Sequence, residues 1–178
     1  MTSNQNFRTS IPQLISVLRG RPQAYAYIEG DRSIYPNLEG LVRFYQTRSG
    51  VIVLAEVSGL PVATNPCNSP IFGFHIHEGG SCSGSVNEPF AGSGMHFNPN
   101  NCRHPYHAGD LPPLFGSNGF AVSLFLTDRF NVEEIIGRTV IIHENPDDFT
   151  SQPSGNSGNK IACGIINANY RIPRANQR

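Results

Sequence analysis

Six histidines fall between residues 75 and 143, at His75, His77, His96, His104, His107 and His143, and none lies elsewhere in the 178 residues. Near neutral pH an imidazole can move protons, bind a metal ion, or pack as a satisfied core side chain. A lone histidine is more often the last of these. Six in one segment, flanking and filling a glycine-rich stretch, point to metal ligation. His75 and His77 are two apart in a run, Ile71 to Glu78, that reads as a strand, so both project to one face and can reach one ion. His104 and His107 lie in the loop, with Asp110 three residues further on. That cluster supplies two nitrogens and one oxygen, and a nitrogen from His96 completes a tetrahedral zinc set. His143 ends the β-branched run Thr139-Val-Ile-Ile-His, from where it can join His75 and His77. Imidazoles without thiolate suit zinc or copper, and a tetragonal all-nitrogen set favours copper(II). Spacing alone points to metal binding; it fixes neither the number of ions nor their identity.

The elements that must position these side chains are mostly strands. Residues 10–20 predict one short helix, with Ser10 as N-cap, Ile11, Leu14, Ile15 and Leu18 on one face, and Gly20 as the stop. From Ala24 to Gly30 the pattern turns to period two, and Leu41–Tyr45 and Val51–Val57 read as two more strands joined at Ser49-Gly50. The alternation stops over 79–119, a Gly- and Pro-rich loop whose length marks it as functional or disordered. Strand signals return at Ala121–Thr127, Thr139–His143 and Ile161–Ile166, with a second turn-rich loop over roughly 145–159. The expectation is an all-β antiparallel sandwich or flattened barrel, with the chemistry on two long loops. Residues 1–22 form an N-terminal extension, 23–167 the barrel, and 168–178 a basic, solvated tail.

Composition narrows the classes further. Charged residues are 15% and hydrophobic residues 38%, a globular balance, and thirteen basic residues meet thirteen acidic ones. No basic patch or aromatic motif suggests nucleic acid, and no run approaches the ~20 apolar residues of a membrane span. The N-terminus lacks the cationic and apolar regions of a secretion signal, so the expected compartment is cytoplasmic, or an exported one if a leader was removed.

Gly73-Phe-His-Ile-His-Glu78, Gly94-Met-His-Phe-Asn-Pro99, His107-Ala-Gly-Asp-Leu111, Gly137-Arg-Thr-Val-Ile-Ile-His-Glu144 and Ala162-Cys-Gly-Ile165 together resemble the copper/zinc superoxide dismutases. The motifs stand in that family's order and, with the strands, cover roughly residues 24–166. The resemblance implies a Greek-key β-barrel of eight strands with long metal-binding and electrostatic loops. It implies copper on His75, His77, His96 and His143, and zinc on His96, His104, His107 and Asp110, with His96 bridging. Asp147 matches a carboxylate that links a copper ligand to a zinc ligand; a plain turn residue is the bland alternative. The implied reaction takes two superoxide ions and two protons to dioxygen and hydrogen peroxide by copper redox cycling. His96 holds and passes a proton, and zinc does no redox work. Dimers are common in the family, so a homodimer is the assembly to look for.

Departures from the pattern are informative. Lys160 stands three residues before Cys163, where the family usually has an arginine that guides superoxide. Lysine keeps the charge and loses the planar fork, so slower capture is expected. The loop from His143 to Lys160 is shorter than in animal enzymes, and the surroundings of Cys82 and Asp110-Leu-Pro-Pro look closer to bacterial members. By resemblance Cys82 and Cys163 form a disulfide, while Cys67 and Cys102 have no assigned partner; free thiols are the favoured reading and a second bridge the alternative. A metal role for Cys102 is a weak alternative. Two other readings use the same residues: a non-enzymatic copper-handling domain on this scaffold, and a zinc-stabilised structural protein. Relatives of the first kind typically lack a ligand, and this chain lacks none.

Overall fold

Strands carry His75, His77 and His143, and the long loop between strands carries His96, His104, His107 and Asp110. The computed structural model describes residues 11–65 and 70–169. Helix α1 (Ile11–Arg19) leads into β1 (Ala24–Gly30), β2 (Glu39–Thr47) and β3 (Gly50–Ser58), then β4 (Ile71–Phe72) and β5 (Phe74–His77). After the long loop come β6 (Leu114–Phe115), β7 (Phe120–Thr127), α2 (Val132–Ile135), β8 (Thr139–His143) and β9 (Lys160–Ala168). Seven strands form one antiparallel sheet in the order β5-β8-β9-β1-β2-β3-β7, and β4 pairs with β6 separately. β5 and β7 are the two edges of the long sheet. Since β4 runs into β5 and β6 leads to β7, the β4–β6 pair draws those edges together and curls the sheet toward a barrel. The connections after β3 and after β7 cross between the two ends of the sheet, the Greek-key feature of the expected all-β fold.

Inside lie Val42, Phe44, Val53 and Ala55 from one half, and Phe74, Ile76, Val140, Ile142 and Ala162 from the other. Because the pleat has period two, Phe74 and Ile76 enter this core while His75 and His77 leave it on the opposite face. Pairing places His75 beside Ile141 and His77 beside Thr139, so residues 139 and 141 of β8 share the histidine face. At His143 the β8–β9 register shifts, and His143 N donates to Gly73 O; its ring lies 3.2 Å from that of His77 at Nε2.

Several expectations shift in detail. The run 71–78 is broken at Gly73, whose backbone bonds sideways to Asn145 and His143. The β2–β3 turn centres on Arg48-Ser49, one residue earlier than read, since Thr47 pairs with Gly50. In α1, Leu14, Val17 and Leu18 are half-buried while Ile15 is exposed, so the covered stripe lies one position away from the one the sequence suggested. Short elements β6 and α2 were not anticipated; α2 is held by a capping box between Asn131 and Glu134. Ser10, Cys67 and the tail 170–178 lie outside the described residues. Among the described residues, no helix is long and apolar enough to cross a membrane.

Candidate metal centre

The long loop is laid along the free edge of β5 by backbone hydrogen bonds. Glu78 N donates to Met95 O, Phe97 N to Ile76 O, Ile76 N to Gly109 O and Gly109 N to Phe97 O. This ladder holds His96 and the segment 104–110 against the two strand histidines, with bridges pairing His77 to His96 and His75 to Asp110. Two side chains clamp the loop from outside. Gln152 Nε2 donates to His104 O at 2.7 Å while its Oε1 accepts from His104 N at 3.1 Å. Arg129 Nη1 donates to the carbonyls of Pro105, His107 and Asp110. The Cys82–Cys163 disulfide ties the start of the loop to β9 across 81 residues of sequence. Closing a loop of that length stabilises a fold by about 3–5 kcal/mol.

Two groups of four ligand atoms result: His75, His77, His96 and His143, and His96, His104, His107 and Asp110. Within each group the ligand atoms lie within 4.8 Å of one another, every residue is buried, and His96 belongs to both. The hydrogen bonds decide which ring nitrogens are free. His77 Nδ1 faces the carbonyl of Gly94 at 2.9 Å and His143 Nδ1 that of Gly158 at 3.2 Å. A carbonyl only accepts, so both Nδ1 atoms carry the proton and both Nε2 atoms present lone pairs. Those two lone pairs face each other at 3.2 Å, an arrangement that a cation between or beside them relieves. Asp147 accepts from His75 Nε2 at 2.8 Å and from His104 Nε2 at 2.9 Å, which leaves Nδ1 of each as the free acceptor. Buried and without a hydrogen-bond partner are His75 Nδ1, His96 Nε2, His104 Nδ1 and His107 Nδ1. His104 Nδ1 is 3.0 Å from Asp110 Oδ2 and His107 Nδ1 is 3.3 Å from Asp110 Oδ1, yet neither nitrogen makes a hydrogen bond there. These unpartnered nitrogens are divided between the two groups, as ligand atoms would be, so the donors fit two cations.

Burial sets the protonation of these groups. It pushes His75 down to about 4 despite the opposing Asp147 hydrogen bond, His143 down to about 3, and His77 well below its ordinary value. Burial also lowers His107. Asp110 is disfavoured as an anion by burial, but its His96 hydrogen bond and the neighbouring imidazoles outweigh that and hold it low. The same contest, won by hydrogen bonds from His75, Phe149 and His104, holds Asp147 at about 2. At neutral pH His75, His77, His107 and His143 are therefore neutral and Asp110 and Asp147 ionised, the forms that bind metals.

The six histidines and Asp110 anticipated from the sequence are brought together in these two groups, with Asp147 bonded to His75 and His104. Lys160 is half-buried, its Nζ donating to Gly94 O at 3.0 Å and Phe90 O at 3.4 Å, and burial lowers its pKa. The Gly94 carbonyl thus serves both Lys160 and His77. Cys102 is a free, exposed thiol outside both ligand groups. Sequence reasoning missed Gln152, Arg129 and Gly155. Gly155, at a positive φ of 68°, lies where any β-carbon would overlap Asp147 Oδ1 and His104 Nε2. Glycine spacing hinted at turns but not at which one backs the carboxylate.

Fold and ligand groups define a class: an antiparallel Greek-key barrel with a two-metal histidine centre. The sequence model of the copper/zinc superoxide dismutase family matches residues 38–166. The copper/zinc superoxide dismutase 3 of Arabidopsis thaliana is 36% identical over 167 residues, covering 83% of this chain and 92% of that one. The copper/zinc superoxide dismutase of Photobacterium leiognathi is 31% identical over 141 residues, 71% of this chain and 78% of that one. The superoxide dismutase-like protein YojM of Bacillus subtilis is 40% identical over 112 residues, 54% of this chain and 56% of that one. The chain belongs to the copper/zinc superoxide dismutase family, an enzyme family whose cofactors are copper and zinc.

Proposed function

We propose that this chain converts two superoxide ions and two protons into dioxygen and hydrogen peroxide. His75, His77, His96 and His143 would hold copper, and His96, His104, His107 and Asp110 would hold zinc. Copper, when bound, supplies the one-electron chemistry by alternating between two oxidation states, while zinc is redox-silent. The chain's own residues do the rest. His96 is the only ring in both ligand groups, and its Nε2 is free on the copper side. A proton held at that atom lies where the reduced substrate needs one, so His96 is assigned the proton transfer. His96 Nδ1 lies 2.7 Å from Asp110 Oδ1, so the nitrogen and the carboxylate that would hold zinc already face one another and set the ring's orientation. Asp147 fixes the tautomers of His75 and His104 together, so one carboxylate keeps the two groups in register. Lys160 holds its charge at the Gly94 carbonyl that also faces His77 Nδ1, and from there it draws in and seats the anionic substrate. Two of its three N–H donors are committed to carbonyls, which leaves one for the substrate.

The observation that carries this reading is the pair of facing lone pairs at His77 and His143 beside a shared His96. A copper-handling domain would need only the first group, and a zinc-stabilised scaffold only the second. Superoxide dismutase activity of the full chain, loaded with copper and zinc, tests the proposal. Fast turnover that disappears when copper is chelated, and is absent from a zinc-only sample, is the expected result. Turnover no faster than that of free copper would overturn it.

A further inference from the structure

A surface groove lies against the loop that carries the zinc-side ligands, and neither ligand group uses it. Its cavity of about 390 Å³ has Pro112, Pro113, Phe125, Leu126 and Phe149 as apolar walls. Small-molecule sites are concave, mostly apolar and at least about 300 Å³, with a few polar groups that fix orientation. Two charged side chains also line this one. Asp110 is no surface charge, because its carboxylate turns inward to His96 Nδ1 and His107 N. Arg129 is exposed and forms no ion pair with any described residue. Its Nη1 is spent on the carbonyls of Pro105, His107 and Asp110. Nε and Nη2 are left without a partner among the described residues. Those two donors form the side-on edge of the guanidinium, the edge that a carboxylate meets with two parallel hydrogen bonds.

The groove also touches both supports of the second ligand group. Arg129 holds three carbonyls of the segment 105–110, which includes His107 and Asp110. Phe149 stands at a φ of 58°, uncommon for a bulky residue, and its N–H donates to Asp147 Oδ1 at 2.7 Å. The same carboxylate oxygen accepts from His104 Nε2.

We propose that this groove binds a small aromatic carboxylate, and that its occupancy braces the zinc group. The carboxylate meets Nε and Nη2 of Arg129, and the ring lies among the prolines and the two phenylalanines. Charge selects the head group. A cation would face the guanidinium, and a neutral apolar molecule would cover its two free donors without replacing their water. Shape selects the body, since flat rings gain from aromatic neighbours beyond the area they bury. A ligand seated on Arg129 and Phe149 holds the segment 105–110 and the carboxylate of Asp147 from one side. Zinc loss requires His104, His107 and Asp110 to part, so a ligand that favours the closed arrangement slows that loss. The inference rests on the zinc assignment of the second ligand group and not on turnover.

Equilibrium dialysis of 2-naphthoate against the full chain loaded with copper and zinc tests the assignment, followed by the rate of zinc loss to a chelator. The wild type should bind 2-naphthoate saturably, and at least about tenfold more tightly than the cationic 2-naphthylmethylammonium. Leu126→Glu, which sets a carboxylate on an exposed position of the groove, should abolish the binding. Val122→Glu, on the same strand outside the groove, should leave it unchanged. Should Leu126→Glu fail to fold, Pro112→Glu, also at an exposed lining position, replaces it. Saturating 2-naphthoate should slow zinc loss from the wild type by about threefold or more and leave zinc loss from the groove variant unaltered. No saturable binding, equal binding of the cation, binding that survives the groove variant, or zinc loss indifferent to the probe would each overturn the proposal alone. A chain that takes up no zinc would overturn the zinc assignment together with it.

Discussion

Replacing Asp147 by asparagine changes one atom and should loosen both metal groups at once. The carboxylate accepts from His75 Nε2 at 2.8 Å and from His104 Nε2 at 2.9 Å, and both rings are wholly buried. An asparagine keeps one accepting oxygen and turns an NH2 donor toward the other ring. Donor would meet donor, so either His75 or His104 must move its proton to Nδ1, the atom that faces the ion. Loss of such an outer hydrogen bond typically weakens metal binding by about 10–100-fold, which is about 1.4–2.8 kcal/mol. Because Asp147 is held at about 2, it is ionised throughout the accessible pH range, and the loss should show no pH threshold between about 5 and 8. Competition against a chelator of known affinity, run separately for each metal on wild type and Asp147→Asn, gives the two constants directly. Affinities within threefold of wild type for both ions would refute the reasoning, since the carboxylate would then be a plain turn residue.

Other expectations follow from the same geometry. Lys160→Met should lower kcat/KM for superoxide by about tenfold and flatten its dependence on ionic strength, while Lys160→Arg should equal or exceed the wild type; stopped-flow assays across a salt series check both. Gly155→Ala places a methyl group against Asp147 and His104 at a positive φ, so it should cost at least about 2 kcal/mol and release zinc more readily, as seen by thermal melts and dialysis. In the metal-free protein His75 and His143 sit below their unfolded values, at about 4 and about 3. The unfolded chain then binds more protons, and stability should fall as pH drops through about 6.5 and level off only below the folded values. Urea midpoints of the metal-free protein between pH 8 and 4 measure this, and a flat profile would contradict it.

The ligands were legible in the sequence because their logic is local. A two-residue spacing on a strand, a three-residue spacing in a loop and a β-branched run ending in histidine each fix a direction without any knowledge of distant contacts. The all-β class followed from alternation in the same way. What could not be read depends on partners far along the chain. Gln152 reaches His104 across 48 residues, and Gly94 and Gly158 contribute carbonyls, which have no side-chain signature. β6 is two residues between Pro113 and Gly116, too short for periodicity to register. The early placement of the β2–β3 turn has a similar cause: Gly50, at a φ of 126°, belongs to the strand and packs against the Thr127 backbone, so the glycine marks a close approach and not the turn itself.

The central claim is that one ring, His96, serves two ions. Titration of the metal-free chain with zinc alone, which imidazole groups of either kind accept, tests this directly when run on wild type, His77→Ala, His107→Ala and His96→Ala. The account predicts two ions for the wild type, one weakened site in each of the first two variants, and both sites weakened in His96→Ala. A His96→Ala protein that keeps one site at wild-type affinity would contradict it.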